Sequence, residues 1–138
     1  MISIGANSSL DSFIKIKPAG GMGDLIIGSQ CSINSGCVFY TGNGIEIGDA
    51  VLISANCTFA PTNHQYSSRQ KFIKDQGFAT SKGGIVIKDD VWIGSNCVIL
   101  DGAYIGKGAI IAAGSVVRGK LDDFTIYGGN PLKKIKER

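Results

Sequence analysis

The chain of 138 residues is long enough for one domain and too short for two. Apolar residues make up 43% and charged residues 18%, which excludes a disordered chain, and no apolar run is long enough to span a membrane. The net charge of +3 arises in residues 118–138, without the basic stripe and interleaved aromatic residues typical of nucleic-acid-binding proteins. We therefore expect a single domain over residues 1–138 that is cytoplasmic, has no membrane span and binds no nucleic acid.

Branched or aromatic apolar residues recur every six residues along most of the chain. In the first half they are Ile27, Ile33, Phe39, Ile47, Ile53 and Phe59, and in the second half Ile87, Ile93, Ile99, Ile105, Ile111 and Val117. Residues i and i+6 lie on opposite faces of an α-helix, so this interval predicts short strands joined by corners in an all-β solenoid. A β-sandwich is the alternative all-β fold, but its strands do not keep a fixed six-residue interval over six units.

The repeat is less regular before residue 25. A looser start is indicated by Ile4, Leu10 and Ile16, and a glycine-rich segment at 20–23 interrupts it. The interval from Phe39 to Ile47 is eight residues instead of six, which predicts a bulge between residues 41 and 44.

Four cysteines occupy a small inward position of the repeat, four residues after an apolar one: Cys31, Cys37, Cys57 and Cys97. Small residues such as alanine and serine stand there in other units, so we interpret the cysteines as packing residues in a reducing compartment. With one histidine in the chain and no second pair of ligands, the sequence predicts no metal site.

A long polar segment interrupts the repeat between Phe59 and Ile85. We expect about residues 65–84 to form a protruding loop, and long loops on rigid scaffolds often carry function. The only histidine, His64, stands at the base of this loop. From the residues alone, its role is either structural or catalytic.

Trp92 and the C-terminal residues are further candidates for a functional surface. Trp92 precedes the inward-facing Ile93, so its indole is predicted to face outward, towards a ligand or another subunit. At the C-terminus, Asn130 as a cap and Pro131 at the first helical position predict a short helix. The basic residues of segment 118–138 form either a solvated tail or a site for a compact anion such as a phosphate.

The units IGDAVL, IGSNCV and IGKGAI resemble the hexapeptide repeat of the left-handed β-helix acyltransferases, from about residue 25 to the end. This resemblance implies a left-handed parallel β-helix in which residues eighteen apart stack, such as Ile87 on Ile105. The segment IGDAVLISANCTFAPTNHQYSSR resembles the stretch of galactoside, maltose and capsular-polysaccharide O-acetyltransferases that ends in their catalytic histidine. The downstream VWIGSNCVI and GNP match the same group in the same order. The resemblance therefore implies that His64 is a catalytic base.

The resemblance also implies acetyl-CoA as co-substrate, bound along the coils without a metal. The implied cofactor-binding residues are Trp92, Ser95, Ala112, Ala113, Gly114, Arg118, Lys120 and Lys133. The backbone at Gly94–Ser95 is the candidate oxyanion donor. Asn63, Tyr66 and Arg69 of the loop are predicted to bind the acceptor. Candidates for orienting His64 are Asn63, Glu46, Asp75 and a backbone carbonyl.

Together these features predict an O-acetyltransferase that acetylates a hydroxyl of a sugar or surface-polysaccharide building block. Relatives form trimers, which implies a homotrimer whose active sites lie between subunits, with His64 facing Trp92 of a neighbour. An N-acetyltransferase for a nucleotide-linked amino sugar, an antibiotic acetyltransferase and a non-catalytic scaffold are the alternatives. A β-helix carbonic anhydrase is excluded, because its metal needs three histidine ligands.

Overall fold

The structure, a computed structural model, describes residues 1–138 and contains one turn of 3-10 helix at Ile73–Asp75 and eighteen strands. In chain order these are β1 (Ile2–Ile4), β2 (Ser9–Leu10), β3 (Lys15–Lys17), β4 (Leu25–Ile27), β5 (Ser32–Ile33), β6 (Val38–Tyr40), β7 (Ile45–Ile47), β8 (Leu52–Ile53), β9 (Thr58–Ala60), β10 (Ile85–Ile87), β11 (Trp92–Ile93), β12 (Val98–Leu100), β13 (Tyr104–Ile105), β14 (Ile110–Ile111), β15 (Val116–Val117), β16 (Lys120–Leu121), β17 (Thr125–Gly128) and β18 (Lys133–Glu137). No helix is long and apolar enough to cross a membrane.

The strands form three sheets along the three sides of a solenoid. The first sheet contains β1, β4, β7, β10, β13 and β16, the second contains β2, β5, β8, β11, β14, β17 and β18, and the third contains β3, β6, β9, β12 and β15. Up to β17, consecutive strands lie in different sheets, and each strand from β1 to β14 pairs in parallel with the strand three places on, so every coil of three strands stacks on the previous one. This is the parallel β-helix that the six-residue repeat predicts, and it agrees with the left-handed β-helix implied by the resemblance.

The predicted stacking of residues eighteen apart is confirmed for Ile87–Ile105, Ile93–Ile111 and Ile99–Val117. Because neighbouring strand residues point to opposite faces, the apolar residue of each unit is buried while its neighbours face outward. The buried residues form one core of 25 residues along the axis. Within it the rings of Phe39 and Phe59 stack, with centroids 4.6 Å apart.

The four cysteines are free and buried, as expected of packing residues. Their thiols donate hydrogen bonds to carbonyl groups of the next coil, as Cys57 does to Gly94 and Cys97 does to Ala112, each at 3.2 Å. Hydrogen bonding to the thiols of Cys37 and Cys97, together with burial, raises the pKa of Cys57. The Cys57 thiol is therefore protonated at neutral pH and serves as a packing group.

The first coil is more regular than the sequence predicts. Its strands pair in register with the second coil, as Ile2 does with Leu25 and Leu10 with Ile33. The apolar pattern is weaker here because an end coil has a neighbour on one side only, and Ile4 remains 46% exposed. The solenoid therefore begins at residue 2, and the expectation of a loose start is corrected.

All large variation in connection length occurs at one corner, where the chain passes from the third sheet to the first; we call it the variable corner. Its connections are residues 18–24, 41–44, 61–84, 101–103 and 118–119. The connections at the other two corners are all three or four residues long. The predicted bulge at 41–44 and the predicted long loop are confirmed, and both belong to this corner.

The C-terminal residues form a strand, so the prediction of a short helix capped by Asn130 is wrong. β18 pairs antiparallel with β17, with Thr125 opposite Glu137 and Gly128 opposite Lys133. β17 is the last parallel strand of its sheet, and without β18 its outer backbone groups would lack partners. Strand pairing therefore outweighs the local preference for a helix.

Candidate active site

His64 lies at the base of the long loop, residues 61–84, that the variable corner inserts between β9 and β10. An isolated antiparallel bridge joins it to Phe78 on the returning arm of the loop. Beside this bridge the Ala79 N–H donates to the Asn63 carbonyl at 2.7 Å. The two arms are thus tied together where they leave the solenoid, and His64 is fixed at this tie.

The imidazole of His64 is exposed and rests against an aromatic ring. The ring centroids of His64 and Phe78 are 4.7 Å apart, and the ring planes make an angle of 28°. The carboxylate of Asp75, one of the groups expected to orient His64, is instead paired with Lys74 at 3.0 Å. The imidazole is held by the ring of Phe78 rather than by a hydrogen bond, a contact that the sequence analysis did not identify.

A polar pocket of about 360 Å³ adjoins the imidazole. It is lined by Asn63, His64 and Tyr66 of the outgoing arm and by Thr80 and Lys82 of the returning arm, among others. Two of the three predicted acceptor-binding residues therefore lie in one pocket with His64. The third, Arg69, lies in a separate depression near the loop tip, beside Phe72.

Asp101 anchors the returning arm, a role that the sequence analysis missed. Its carboxylate is 5% exposed and accepts hydrogen bonds from the backbone N–H groups of Lys82 (2.7 Å) and Gly84 (2.9 Å). The Ser81 hydroxyl donates a longer one, at 3.4 Å. A single aspartate at the corner of a coil gives no sign in the sequence that its partners stand some twenty residues earlier.

Trp92 faces outward from the second sheet, as predicted, and is 47% exposed. Its indole Nε1–H donates to the Ser54 hydroxyl at 3.3 Å, a partner that the sequence analysis missed. At the adjacent corner Ser95 lies beside Gly114, whose N–H donates to the Ser95 carbonyl at 2.8 Å. Ser95 and Gly114 are therefore neighbours on adjacent coils, at the corner that follows the strand of Trp92.

Of the two backbone N–H groups at Gly94–Ser95, one remains a candidate for the oxyanion donor. The Gly94 N–H already donates to the Ile111 carbonyl at 2.8 Å as part of the solenoid. The N–H of Ser95 has no such partner in the chain, so it is the donor left at this corner.

The basic residues predicted to bind the cofactor are distributed over the end of the solenoid. Arg118, at the variable corner, lines a groove of about 520 Å³ together with Asn130 and Leu132. The ammonium group of Lys120 lies over the ring of Tyr104, 5.8 Å from its centroid, and Lys133 stands on β18. One of the three basic residues therefore borders the groove.

Within one chain, His64 and the surface around Trp92 lie on different sides of the solenoid. The loop of His64 leaves from the corner between the third and first sheets, whereas Trp92 stands on the second sheet, the side opposite that corner. A single chain therefore presents the two predicted halves of an active site separately.

Comparison with known proteins agrees with the repeat and the fold. The family model described as "Bacterial transferase hexapeptide (six repeats)" matches residues 84–119. A crystal structure of a hexapeptide-repeat-containing acetyltransferase from Vibrio cholerae, complexed with acetyl coenzyme A, is similar with a TM-score of 0.84. That match has 31% sequence identity and covers 98% of this chain and 70% of the other. The chain belongs to the hexapeptide-repeat acyltransferase family.

Two further solved structures are similar to this member of the hexapeptide-repeat family. AntD, an N-acyltransferase from Bacillus cereus in complex with dTDP and 3-hydroxybutyryl-CoA, has a TM-score of 0.83 at 32% identity, covering 99% of this chain and 72% of AntD. A maltose O-acetyltransferase from Clostridium difficile 630 has a TM-score of 0.72 at 30% identity, covering 94% of this chain and 68% of that one.

The curated relatives of this family member are longer proteins. A probable acetyltransferase from Mycobacterium tuberculosis is 35% identical over 116 residues, which are 84% of this chain and 38% of that protein. A chloramphenicol acetyltransferase from Escherichia coli is 39% identical over 115 residues, which are 83% of this chain and 51% of that protein. The chain thus spans about half of the length of these relatives, or less.

Proposed function

We propose that this member of the hexapeptide-repeat family is an acetyl-CoA-dependent O-acetyltransferase, and that it acetylates a hydroxyl of a sugar or surface-polysaccharide building block. The observation that carries the proposal is the position of His64. The only histidine of the chain is exposed at the base of the one long loop, in a pocket lined by hydroxyl, amide and ammonium groups.

His64 supplies what a hydroxyl acceptor needs. A neutral imidazole takes the proton of the hydroxyl while the oxygen attacks the thioester carbonyl, a contribution of about 10²–10⁴ to the rate. The C–S bond then breaks, and the thiolate of coenzyme A takes the proton back from the imidazolium. The transient oxyanion is stabilised by a preorganised N–H donor, for which the Ser95 N–H is the candidate.

The surface around Trp92 fits a long, narrow co-substrate such as acetyl-CoA. The exposed indole offers a flat apolar contact, and on the next coil the small residues Ala113 and Gly114 are exposed, so a pantetheine arm can pass along the coils without meeting a bulky side chain. Arg118, Lys120 and Lys133 are the basic residues available for its phosphates. The Vibrio cholerae relative, whose structure contains acetyl coenzyme A, supports this choice.

The separation of the two surfaces supports a homotrimer with shared active sites. Because His64 and Trp92 lie on different sides of one solenoid, a complete site needs His64 from one chain and the Trp92 surface from another. Three chains around a threefold axis form three identical interfaces. Each His64 then faces the Trp92 surface of a neighbouring chain, and no half of a site is left unpaired.

The acceptor is proposed to be a hydroxyl because a base assists a hydroxyl far more than an amine that is already neutral. Similarity to the maltose O-acetyltransferase supports this choice. Similarity to AntD, an N-acyltransferase in complex with dTDP, keeps a nucleotide-linked amino sugar as the second candidate acceptor. Competition between the two acceptors at equal concentration distinguishes them, since an ester is cleaved by mild base and an amide is not.

The catalytic role is tested by His64→Ala and His64→Asn, assayed by coenzyme A release with acetyl-CoA and a panel of sugars. We expect turnover to fall at least about a hundredfold in both variants, with acetyl-CoA binding unchanged within a few-fold. Near-normal turnover of either variant would show that His64 is not the base. Absence of coenzyme A release by the unmodified protein with every acceptor would instead favour a scaffold.

The shared site is tested by mixing two inactive variants, His64→Ala and Trp92→Ala, after joint unfolding and refolding. If the two residues meet between chains, a random mixture restores about a quarter of the sites, because each site then needs one intact residue from each of two neighbours. If they act within one chain, mixing restores nothing. Sedimentation of the unmodified protein gives the expected trimer mass, and a fully active monomer would contradict the proposal.

A further inference from the structure

We propose that Phe78 is a positioning residue for His64, and that the glycine-rich turn of the first coil holds Phe78 in place through Gly20. The inference rests on the proposed function of His64 as a base. It concerns three segments that are far apart in sequence and meet at the variable corner: the turn at 18–24, the outgoing arm of the long loop and its returning arm.

The first step is the contact between the two rings. His64 and Phe78 are bridge partners on opposite arms, so their side chains leave the backbone on the same face. Their ring centroids are 4.7 Å apart at 28°, within the range of favourable aromatic stacking. A stacked partner restricts the rotation of the imidazole, which lines the pocket.

The second step is the support beneath Phe78. A Cβ atom at Gly20 would lie 2.8 Å from Cδ1 and 2.9 Å from Cε1 of Phe78, and 2.8 Å from the methyl group of Thr62. Glycine at position 20 therefore lets the turn approach the phenyl ring directly. Any side chain there would displace Phe78, Thr62 or the turn itself, and Thr62 stands two residues before His64.

The third step is that Phe78 contributes little to the core. It is 46% exposed and does not belong to the cluster of buried residues along the axis. Its ring stacks on His64, and its edge lies where a Cβ atom at position 20 would stand. Removal of the ring should therefore change the orientation of His64 more than the stability of the solenoid.

The test uses the fact that the chain has a single histidine, so that its imidazole gives one set of NMR signals. In the unmodified protein, the ring current of Phe78 should displace the His64 ring protons from their positions in an unfolded peptide. Phe78→Leu should abolish the displacement, and Phe78→Tyr should retain it. Gly20→Ala should reduce it, because the added methyl group pushes Phe78 away.

Matched controls separate this role from general damage. Phe13→Leu removes another exposed phenylalanine, on the first coil. Gly119→Ala places alanine at nearly the same backbone angle as position 20, φ +74° against +79°, where no atom lies within 4 Å. Both controls should leave the imidazole signals in place.

The activity of the same variants completes the test. The stack changes the population of the productive orientation by roughly 2- to 10-fold, so Phe78→Leu should lower kcat by that factor with the KM for acetyl-CoA unchanged. Phe78→Tyr should keep kcat near the unmodified value. Imidazole signals that are unmoved in Phe78→Leu, or moved signals with an unchanged kcat, would overturn the proposal. Full activity of His64→Ala would overturn the proposed function instead, whatever the NMR signals of the other variants.

Discussion

The buried carboxylate of Asp101 allows a prediction whose size follows from its contacts. Asp101→Ala removes the acceptor for the N–H groups of Lys82 and Gly84, and Gly84 is buried, so water does not replace the lost partner there. A hydrogen bond to a charged group contributes about 1.5–3 kcal/mol. Counting two such bonds at the lower end, and the longer Ser81 contact as negligible, we expect a loss of about 3 kcal/mol in the free energy of unfolding.

Asp101→Asn is the graded version of this change. Its amide oxygen keeps one acceptor, while its NH₂ group faces a backbone N–H, so we expect a loss of about 1.5–3 kcal/mol. Asp49→Asn is the control: Asp49 accepts one backbone hydrogen bond, from Ser29 at 2.7 Å, but it is exposed, so water can substitute. We expect about 0.5 kcal/mol or less for this control.

Urea unfolding measures the loss, and hydrogen exchange locates it. The amides of Lys82 and Gly84 should exchange faster in both Asp101 variants, while those of the core strands keep their protection. Turnover should also fall, because the freed arm carries Thr80 and Lys82 of the pocket beside His64. If Asp101→Ala were no more destabilising than Asp49→Asn, or if both amides kept their protection, the anchoring role would be refuted.

Three further predictions concern the core and the absence of a metal. Hydrogen bonding raises the pKa of Cys57 in the folded protein and lowers the pKa of Cys37 and Cys97 to about 7. In urea titrations the free energy of unfolding should therefore rise between pH 7 and about 8.5, where Cys37 and Cys97 lose their protons first in the folded protein, and fall above pH about 9, where Cys57 loses its proton first in the unfolded chain; Cys57→Ala should flatten both changes. Phe59→Ala removes a fully buried ring stacked on Phe39 and should cost about 3–5 kcal/mol by the same measurement, whereas a loss below about 1 kcal/mol would contradict the packing. Dialysis against a chelator should leave acetyl transfer unchanged, and activity restored by a divalent ion would contradict the metal-free proposal.

The register of the solenoid is predictable from sequence because it is a local property. Each unit such as Ile87 to Ile93 fixes its own inward residue, and stacking then follows from the repeat itself. His64 can also be selected as a candidate from the sequence, because it is the only histidine and stands where the repeat breaks. Its ring contact with Phe78 was missed, since the pairing of two loop arms leaves no periodic pattern.

The errors at the two ends of the chain have a common physical cause. At the C-terminus, Asn130 and Pro131 carry a helix signal, but the open edge of β17 supplies a partner that local preferences do not include. At the N-terminus, Ile4 and its neighbours read as irregular because an end coil buries less of each inward residue. In both places the outcome depends on the strands that lie beside the segment, and the sequence of the segment itself does not contain that information.

Because the insertions are concentrated at one corner, the solenoid accommodates connections of very different length there without a change in its strands. Residues 61–84 connect β9 to β10 across the same corner that residues 41–44 span between β6 and β7. The pairing of the strands therefore does not constrain the length of this connection. The length and sequence of the loop can therefore change without altering the buried core that carries it. Asp101, which lies outside the long loop, would have to change together with it, because removing its partners would leave a buried carboxylate without hydrogen bonds.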